Sequence, residues 1–301
     1  MVPRFNLATN RIINTTVVYI MRKWHYLLYP GDWPRLQGRV REWSDIINEK
    51  MGFPAGTQHC FGFIDGTARP IARPTGHDIY QESVYDGHHR MHAFDYQAVS
   101  CPKGIIRQLF GPVSGRHPDT FMVRESGILK MIKHYCWDQQ GHQYWLYADA
   151  GYHSSPCLLA PHDHPVPRSV QARMNYIWSK ERVAAELIFG RILNLFQTLD
   201  FHRMQKVKRS LVGMWYPVCV LLTNCETAMY GNQVGDKYDQ QPEGLENYLV
   251  EPDKESARWC LNTFGPDPDK VPLFNSEDWF DKMREANALY SQLSVTERVQ
   301  L

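Results

Sequence analysis

Phe61-Gly62-Phe63-Ile64-Asp65-Gly66-Thr67-Ala68-Arg69-Pro70 runs from apolar residues straight into an aspartate, then Gly-Thr and an arginine. The pattern predicts a buried strand over 59–65, with Asp65 on its C-terminal lip and Gly66 turning the chain away. A carboxylate in that place is costly to bury unless it is paired or bound to a metal ion. Two later stretches carry matching acids. Tyr144-Trp145-Leu146-Tyr147-Ala148-Asp149-Ala150-Gly151-Tyr152 is a second apolar run ending on Asp-x-Gly, and Glu186 interrupts the apolar helical stretch Val183 to Gly190. Two strand-end aspartates and a helical glutamate are the oxygen ligands a pair of hard cations uses in phosphodiester chemistry.

The composition is that of a packed globular protein: 301 residues, 43% apolar and 22% charged, with nine Trp and sixteen Tyr. The longest apolar run, 211–222, falls short of the roughly 20 residues a bilayer-spanning helix needs, so no membrane contact is expected. Met1-Val2-Pro3-Arg4-Phe5 has no signal-peptide pattern. Seven scattered cysteines without Cys-x-x-Cys predict buried thiols in a reducing compartment rather than a disulfide framework or zinc ribbon. The net charge of +1 hides an asymmetry: residues 231–301 hold 7 Lys and Arg against 14 Asp and Glu, leaving 26 against 18 in residues 1–230. A basic body suits a polyanionic partner, with the acidic tail set apart from it.

Taken in order, the chain predicts helices over 8–29 (Ile13, Val17, Ile20, Trp24 and Leu27 on one face) and 35–51 (Leu36, Val40, Trp43 and Ile47). They form either a helical cap or the remnant of a helix-turn-helix. An irregular stretch, 68–87, separates the first strand from a second at 88–100. Cys101-Pro102-Lys103-Gly104 turns into an antiparallel third strand at 105–110. A helix over 119–135, a fourth strand at 143–149, a loop over 150–168 and helices over 170–200 and 206–230 follow. Residues 1–55 thus read as an N-terminal helical segment and 56–230 as the main domain. Residues 231–301 read as an acidic, aromatic tail of partial order, with one helix at 277–292. Three meandering strands, a helix, a strand and more helices is an α/β order of the RNase H-like kind, a mixed sheet flanked by helices. In that fold the first and fourth strands are neighbours, which brings Asp65 beside Asp149 and lets a helix carry Glu186 to them.

Five ordered strings carry a family resemblance: Ile64 to Ile71, Val84 to His92 (VYDGHHRMH), Gly111 to Asp119 (GPVSGRHPD), Ala148 to Tyr152 (ADAGY) and Arg182 to Gly190 (RVAAELIFG). Together they resemble the DDE superfamily endonuclease domain of Harbinger-type transposases and of host genes derived from them, over about residues 59–200. The resemblance implies that Asp65, Asp149 and Glu186 are the catalytic residues and bind two Mg²⁺ or Mn²⁺ ions for hydrolysis of DNA phosphodiester bonds, with strand transfer as a further reaction. It also implies action in the nucleus, a separate Myb-like DNA-binding partner and homo-oligomers. A domesticated, non-catalytic DNA- or protein-binding factor that keeps the fold is the alternative, and a nuclease acting on RNA or hybrids a third reading.

Other residues are assigned smaller roles. Arg69, Arg73 and Arg90 lie in the motif-bearing segments near the first acid and are candidate phosphate contacts. Arg203, Lys206, Lys208 and Arg209 are either backbone-phosphate contacts or a solvated helix end. His117 and Asp119 resemble a His-Asp pair of the family, split here by Pro118, with either a direct or a loop-structuring role. His153, His162 and His164 read as polar loop rather than a zinc site.

Overall fold

A computed structural model of the protein describes residues 7–28, 33–74, 81–207, 211–251 and 253–264. Helix α1 (Leu7–Trp24) buries Val17 and Met21, and a 3₁₀ turn over 25–27 ends it. The stop at 29–31 lies outside the described residues. The predicted second helix is a short α2 (Trp33–Leu36) joined by a 3₁₀ turn to α3 (Val40–Met51). Leu36, Val40, Trp43 and Ile47 are all buried, as the spacing requires. Gly52 closes α3 at φ 72°, donating its N–H to the carbonyls of Asn48 and Glu49.

The sheet is mixed and six-stranded: β1 (Cys60–Pro70), β2 (Tyr85–Asp86), β3 (Met91–Ser100), β4 (Ile106–Ser114), β5 (Trp145–Tyr147) and β6 (Leu158–Leu159). Its order is β2-β3-β1-β5-β6, with β4 also pairing with β3. The first and fourth predicted strands, β1 and β5, are parallel neighbours, and β3 and β4 are antiparallel about the predicted turn. Flanked by helices, this is the RNase H-like mixed α/β architecture the element order implied. Boundaries differ: the fourth strand, expected at 143–149, spans only Trp145–Tyr147 and leaves Asp149 two residues past its end, and the third, expected at 105–110, runs on to Ser114. β1 does not stop at Asp65, because Gly66 to Pro70 remain paired with Gln97 to Ala93 of β3. Only the β5 side of β1 ends there, so Asp65 stands on an open edge in mid-strand and Gly66 continues the strand.

The predicted helix over 119–135 is two, α4 (Asp119–Glu125) and α5 (Ile128–Tyr135), broken at Gly127 (φ 67°). A Cβ at Gly127 would meet the Phe264 carbonyl oxygen, so the break seats the end of the chain's described part. Then come α6 (Val170–Leu195), whose N-cap Ser169 accepts from the Ala172 N–H, and α7 (Val212–Tyr230). α3 and α6 pack on β1, α7 on β4 and α1 on α7. Among the described residues no helix is long and apolar enough to cross a membrane. All seven cysteines are free, five of them buried.

The tail packs closer than its charge suggested. Helices α8 (Gln233–Lys237), α9 (Leu245–Tyr248) and α10 (Lys254–Phe264) place Tyr238, Tyr248 and Phe264 in the main apolar cluster. Glu243 explains part of this: it pairs with Arg107, both side chains being 2% exposed, and with Arg39 at 2.8 Å. A buried Arg on a strand needs such a counter-ion, so one tail acid is spent neutralising the body. The helix expected at 277–292 lies outside the described residues.

Candidate active site

The ladder of β1 with β5 pairs Phe63 with Tyr147. Asp65 and Asp149, each two residues further along its own strand direction, therefore reach the same level on neighbouring chains spaced about 4.8 Å apart. Asp65 is 7% exposed and Asp149 half-buried.

Helix α6 delivers the third acid. Trp178 is buried, stacking on Tyr147 (5.3 Å between ring centroids) and meeting Trp145 edge-on (5.1 Å), so it pins the helix against β5. Residues four apart on a helix share a face, so Arg182 and Glu186 follow Trp178 in one row. Arg182 donates to Asp65 Oδ2 at 2.8 Å and pairs with Glu186 Oε1 at 2.7 Å. One guanidinium thus joins the first acid to the third, and Glu186 remains half-exposed at the rim. Lys237 at the end of α8 and Tyr238 just after it both reach Glu181, tying that turn of α6 to α8.

A fourth carboxylate enters from α4. An added Cβ at Gly66 would lie 2.8 Å from Asp119 Oδ1, and one at Gly151 2.8 Å from Asp119 Oδ2 and 3.1 Å from Asp149 Oδ1. Asp119 is therefore seated between the glycines that follow the two strand acids, in space only glycine leaves free. Beside it, the Tyr152 hydroxyl is buried without a hydrogen-bond partner.

Burial and nearby like charge raise Asp65, Asp119 and Asp95. Asp65 is pushed up to about 7 by burial first; Asp149 and Glu186 add to the rise, while Arg182 and the Gly66 N–H oppose it. Asp119 is raised to about 6 by burial and then by Asp149, against His89 and His88. Asp95, deeper in β3, is raised to about 8 by burial, Asp86 and Asp119, with Arg69 opposing. Tyr152 is held well above its ordinary value by burial, then by Asp119, Asp65 and Asp149. Arg182 sets a single positive charge against these carboxylates. An all-oxygen donor set under this repulsion fits hard divalent cations.

Asp119 and Asp149 open onto a cleft of about 1120 Å³ whose walls carry Arg73, His88, His89, His92 and Arg116. Of the three candidate phosphate arginines, Arg73 lines this cleft, its Nε donating to Gln81 Oε1 at 2.6 Å. Arg90 is exposed in the β2–β3 turn with φ 54°. Arg69 is turned inward, donating to Thr67 Oγ1 and packed over the Tyr216 ring. His117 is buried and stacked on Phe121, which gives it a structural part, while Asp119 faces the acids. Lys208 and Arg209 lie outside the described residues.

Sequence reasoning missed the seat of Asp119 and the bond from Arg182 to Asp65, although the i,i+4 spacing of Arg182 and Glu186 makes their own pair readable. Both depend on how α4 and α6 approach the sheet, which no local spacing encodes. No curated protein and no solved structure matches the chain. The family model described as DDE superfamily endonuclease matches residues 64–224, more than half of the chain, and this span contains all four acids. With that match laid over two level aspartates and a helical glutamate, the chain belongs to the DDE superfamily endonuclease family.

Proposed function

We propose that the protein is a divalent-metal-dependent DNA endonuclease of the Harbinger transposase type, with Asp65, Asp149 and Glu186 as its metal ligands and Asp119 beside them. When bound, a pair of Mg²⁺ or Mn²⁺ ions supplies the charge that activates the attacking oxygen and stabilises the leaving oxygen of an in-line displacement. The observation that carries this reading is the Arg182 bridge between Asp65 and Glu186. The two side chains already converge on a cation of fixed position, although they come from a strand and a helix 121 residues apart in the chain.

The chain's own residues supply the rest. Asp65 is held within β1, and Asp149 follows two residues after β5, whose pairing with β1 ends at Phe63 and Tyr147 and so sets where the two chains lie side by side. Glu186, exposed at the rim, has the freedom to exchange Arg182 for an ion. Freed by such an exchange, the Arg182 guanidinium would be available as a donor to a phosphate oxygen. Arg73, Arg116 and His88 along the cleft suit the sugar-phosphate backbone, whose contacts orient the duplex without reading its sequence. Nuclear action, strand transfer, a Myb-like partner for site recognition and assembly into homo-oligomers belong to the same reading.

The bridge also supports a second reading, a non-catalytic DNA- or protein-binding factor in which Arg182 permanently replaces the ions. Nicking of supercoiled DNA by the purified protein with Mg²⁺ or Mn²⁺ separates them: the nuclease nicks, whereas the binding factor shifts the DNA in a gel and leaves it closed.

A further inference from the structure

His59, Asp138 and His142 form a second cluster of metal-ligating atoms, at the other end of the β1–β5 pair from the acids. His59 directly precedes β1, and its carbonyl accepts the Trp145 N–H that opens β5. Asp138 and His142 belong to the small hairpin between α5 and β5, closed by the Trp137–Gln143 bridge. One ligand atom from each of the three residues lies within 4.8 Å of the other two. His142 Nδ1 is 2.8 Å and His59 Nε2 3.2 Å from the same oxygen, Asp138 Oδ2.

We propose that these three residues are a transition-metal site of the zinc class, distinct from the acid cluster. Ligands on a tetrahedral zinc ion lie about 3.3 Å from one another, given metal bonds of 2.0–2.2 Å, so the two short spacings need to open by no more than about half an ångström. The carboxylate is already aimed: Asp138 Oδ1 accepts the N–H groups of Gln140 (2.9 Å) and His142 (2.7 Å), which leaves Oδ2 for the ion. Supporting bonds of this kind are what orients a ligating carboxylate.

The histidines complete the case. His59 is fixed by strand pairing and is 16% exposed at its side chain, while His142 is 63% exposed and provides the way in from solvent. Two nitrogens and one oxygen, with a fourth position open to water, favour zinc, cobalt or nickel over magnesium. Such an ion would tie the start of β1 to the hairpin that leads into β5, clamping the two strands that carry Asp65 and Asp149.

The test uses Co²⁺ as a coloured probe on the full chain after chelator treatment, with Mg²⁺ in excess to occupy the acids. Four-coordinate Co²⁺ with nitrogen ligands absorbs visible light intensely, whereas a six-coordinate all-oxygen centre stays pale. The expected result is an intense band that Zn²⁺ abolishes, that survives in Asp65→Ala, and that disappears in His142→Gln and His59→Gln. Calorimetry should show Zn²⁺ binding at least about 100-fold weaker in His142→Gln, the upper end of the cost of losing even a supporting partner. His142 is exposed and its replacement leaves the core intact, which circular dichroism verifies. No intense band, a band retained in both His variants, or a band lost in Asp65→Ala would each overturn the proposal.

Discussion

Arg182 donates to Asp65 at 2.8 Å while its other terminal nitrogen holds Glu186 at 2.7 Å, so a single side chain neutralises acids from two different elements. Removing it leaves Asp65 buried beside Asp149 with no counter-charge. Because the Arg182 side chain is 25% exposed, water relieves part of the penalty. Arg182→Gln should lower the stability of the metal-free protein by about 1–3 kcal/mol and enlarge the stabilisation that Mg²⁺ confers. Urea titrations with and without Mg²⁺ read both. An unchanged stability and an unchanged Mg²⁺ response would show that Arg182 is not the resident cation.

The raised acids predict how stability depends on pH. Asp65, Asp95 and Asp119 have folded values of about 7, 8 and 6, above the ordinary carboxylate range. A carboxyl whose value is raised by folding contributes stability that is full below its unfolded value and is lost as pH rises through the folded one. The metal-free protein should therefore lose stability from about pH 4 to pH 8. Mg²⁺ should restore more at about pH 8 than at about pH 5, and Asp95→Asn should flatten the upper part of the curve. A melting temperature that rises across this range in chelator would contradict the assignment.

Glycines on β1 offer a contrast. A Cβ at Gly62 would stand 2.4 Å from the backbone carbonyl oxygen of Ser100, which cannot move without breaking the sheet. At Gly66 the obstacle is the Asp119 carboxylate, a side chain that can swing. Gly62→Ala should cost several kcal/mol and threaten folding, whereas Gly66→Ala should fold with a loss of about 1–3 kcal/mol, as overpacking usually costs. Gly66→Ala should also weaken Mg²⁺ or Mn²⁺ binding, measured by calorimetry, to the extent that Asp119→Asn does. Matching affinities for wild type and both variants would remove Asp119 from the site.

Trp178 sets the height of α6. Its truncation to alanine empties a large buried volume and should cost about 3–5 kcal/mol. Trp178→Phe keeps the apolar contact with Tyr147 and should retain the fold while letting the helix slide. In the nuclease reading, that variant loses nicking rate more than DNA affinity. Equal losses of both would mean that Trp178 serves stability alone.

Much of this was legible in the chain because the signals were local. The apolar runs that mark β1, β3, β4 and β5 were readable because these strands are buried almost without a break, on both faces of the sheet, and the Leu36-Val40-Trp43-Ile47 row follows from the 3.6-residue turn. Asp65 and Asp149 were readable as candidate site acids because a carboxylate at the end of a buried apolar run must find a counter-charge, hydrogen-bond donors or a cation, although Asp149 stands two residues past β5 and not within it. The continuation of β1 beyond Asp65 was not, because it depends on partners in β3 that a single strand does not reveal. Ser126-Gly127 breaks the 119–135 helix for the sake of a contact with Phe264, remote in sequence. Asp119 and Arg182 acquired their places in the same way, through the docking of whole helices.

Nicking of supercoiled DNA tests most directly whether Asp65, Asp149 and Glu186 make a metal-dependent nuclease. Wild-type protein should convert closed circles to nicked ones with Mg²⁺ or Mn²⁺, stop with chelator, and lose about 100-fold or more of that rate in both Asp65→Ala and Glu186→Ala. Wild-type protein that binds the DNA yet never nicks it, or nicking that survives both substitutions, would contradict the account.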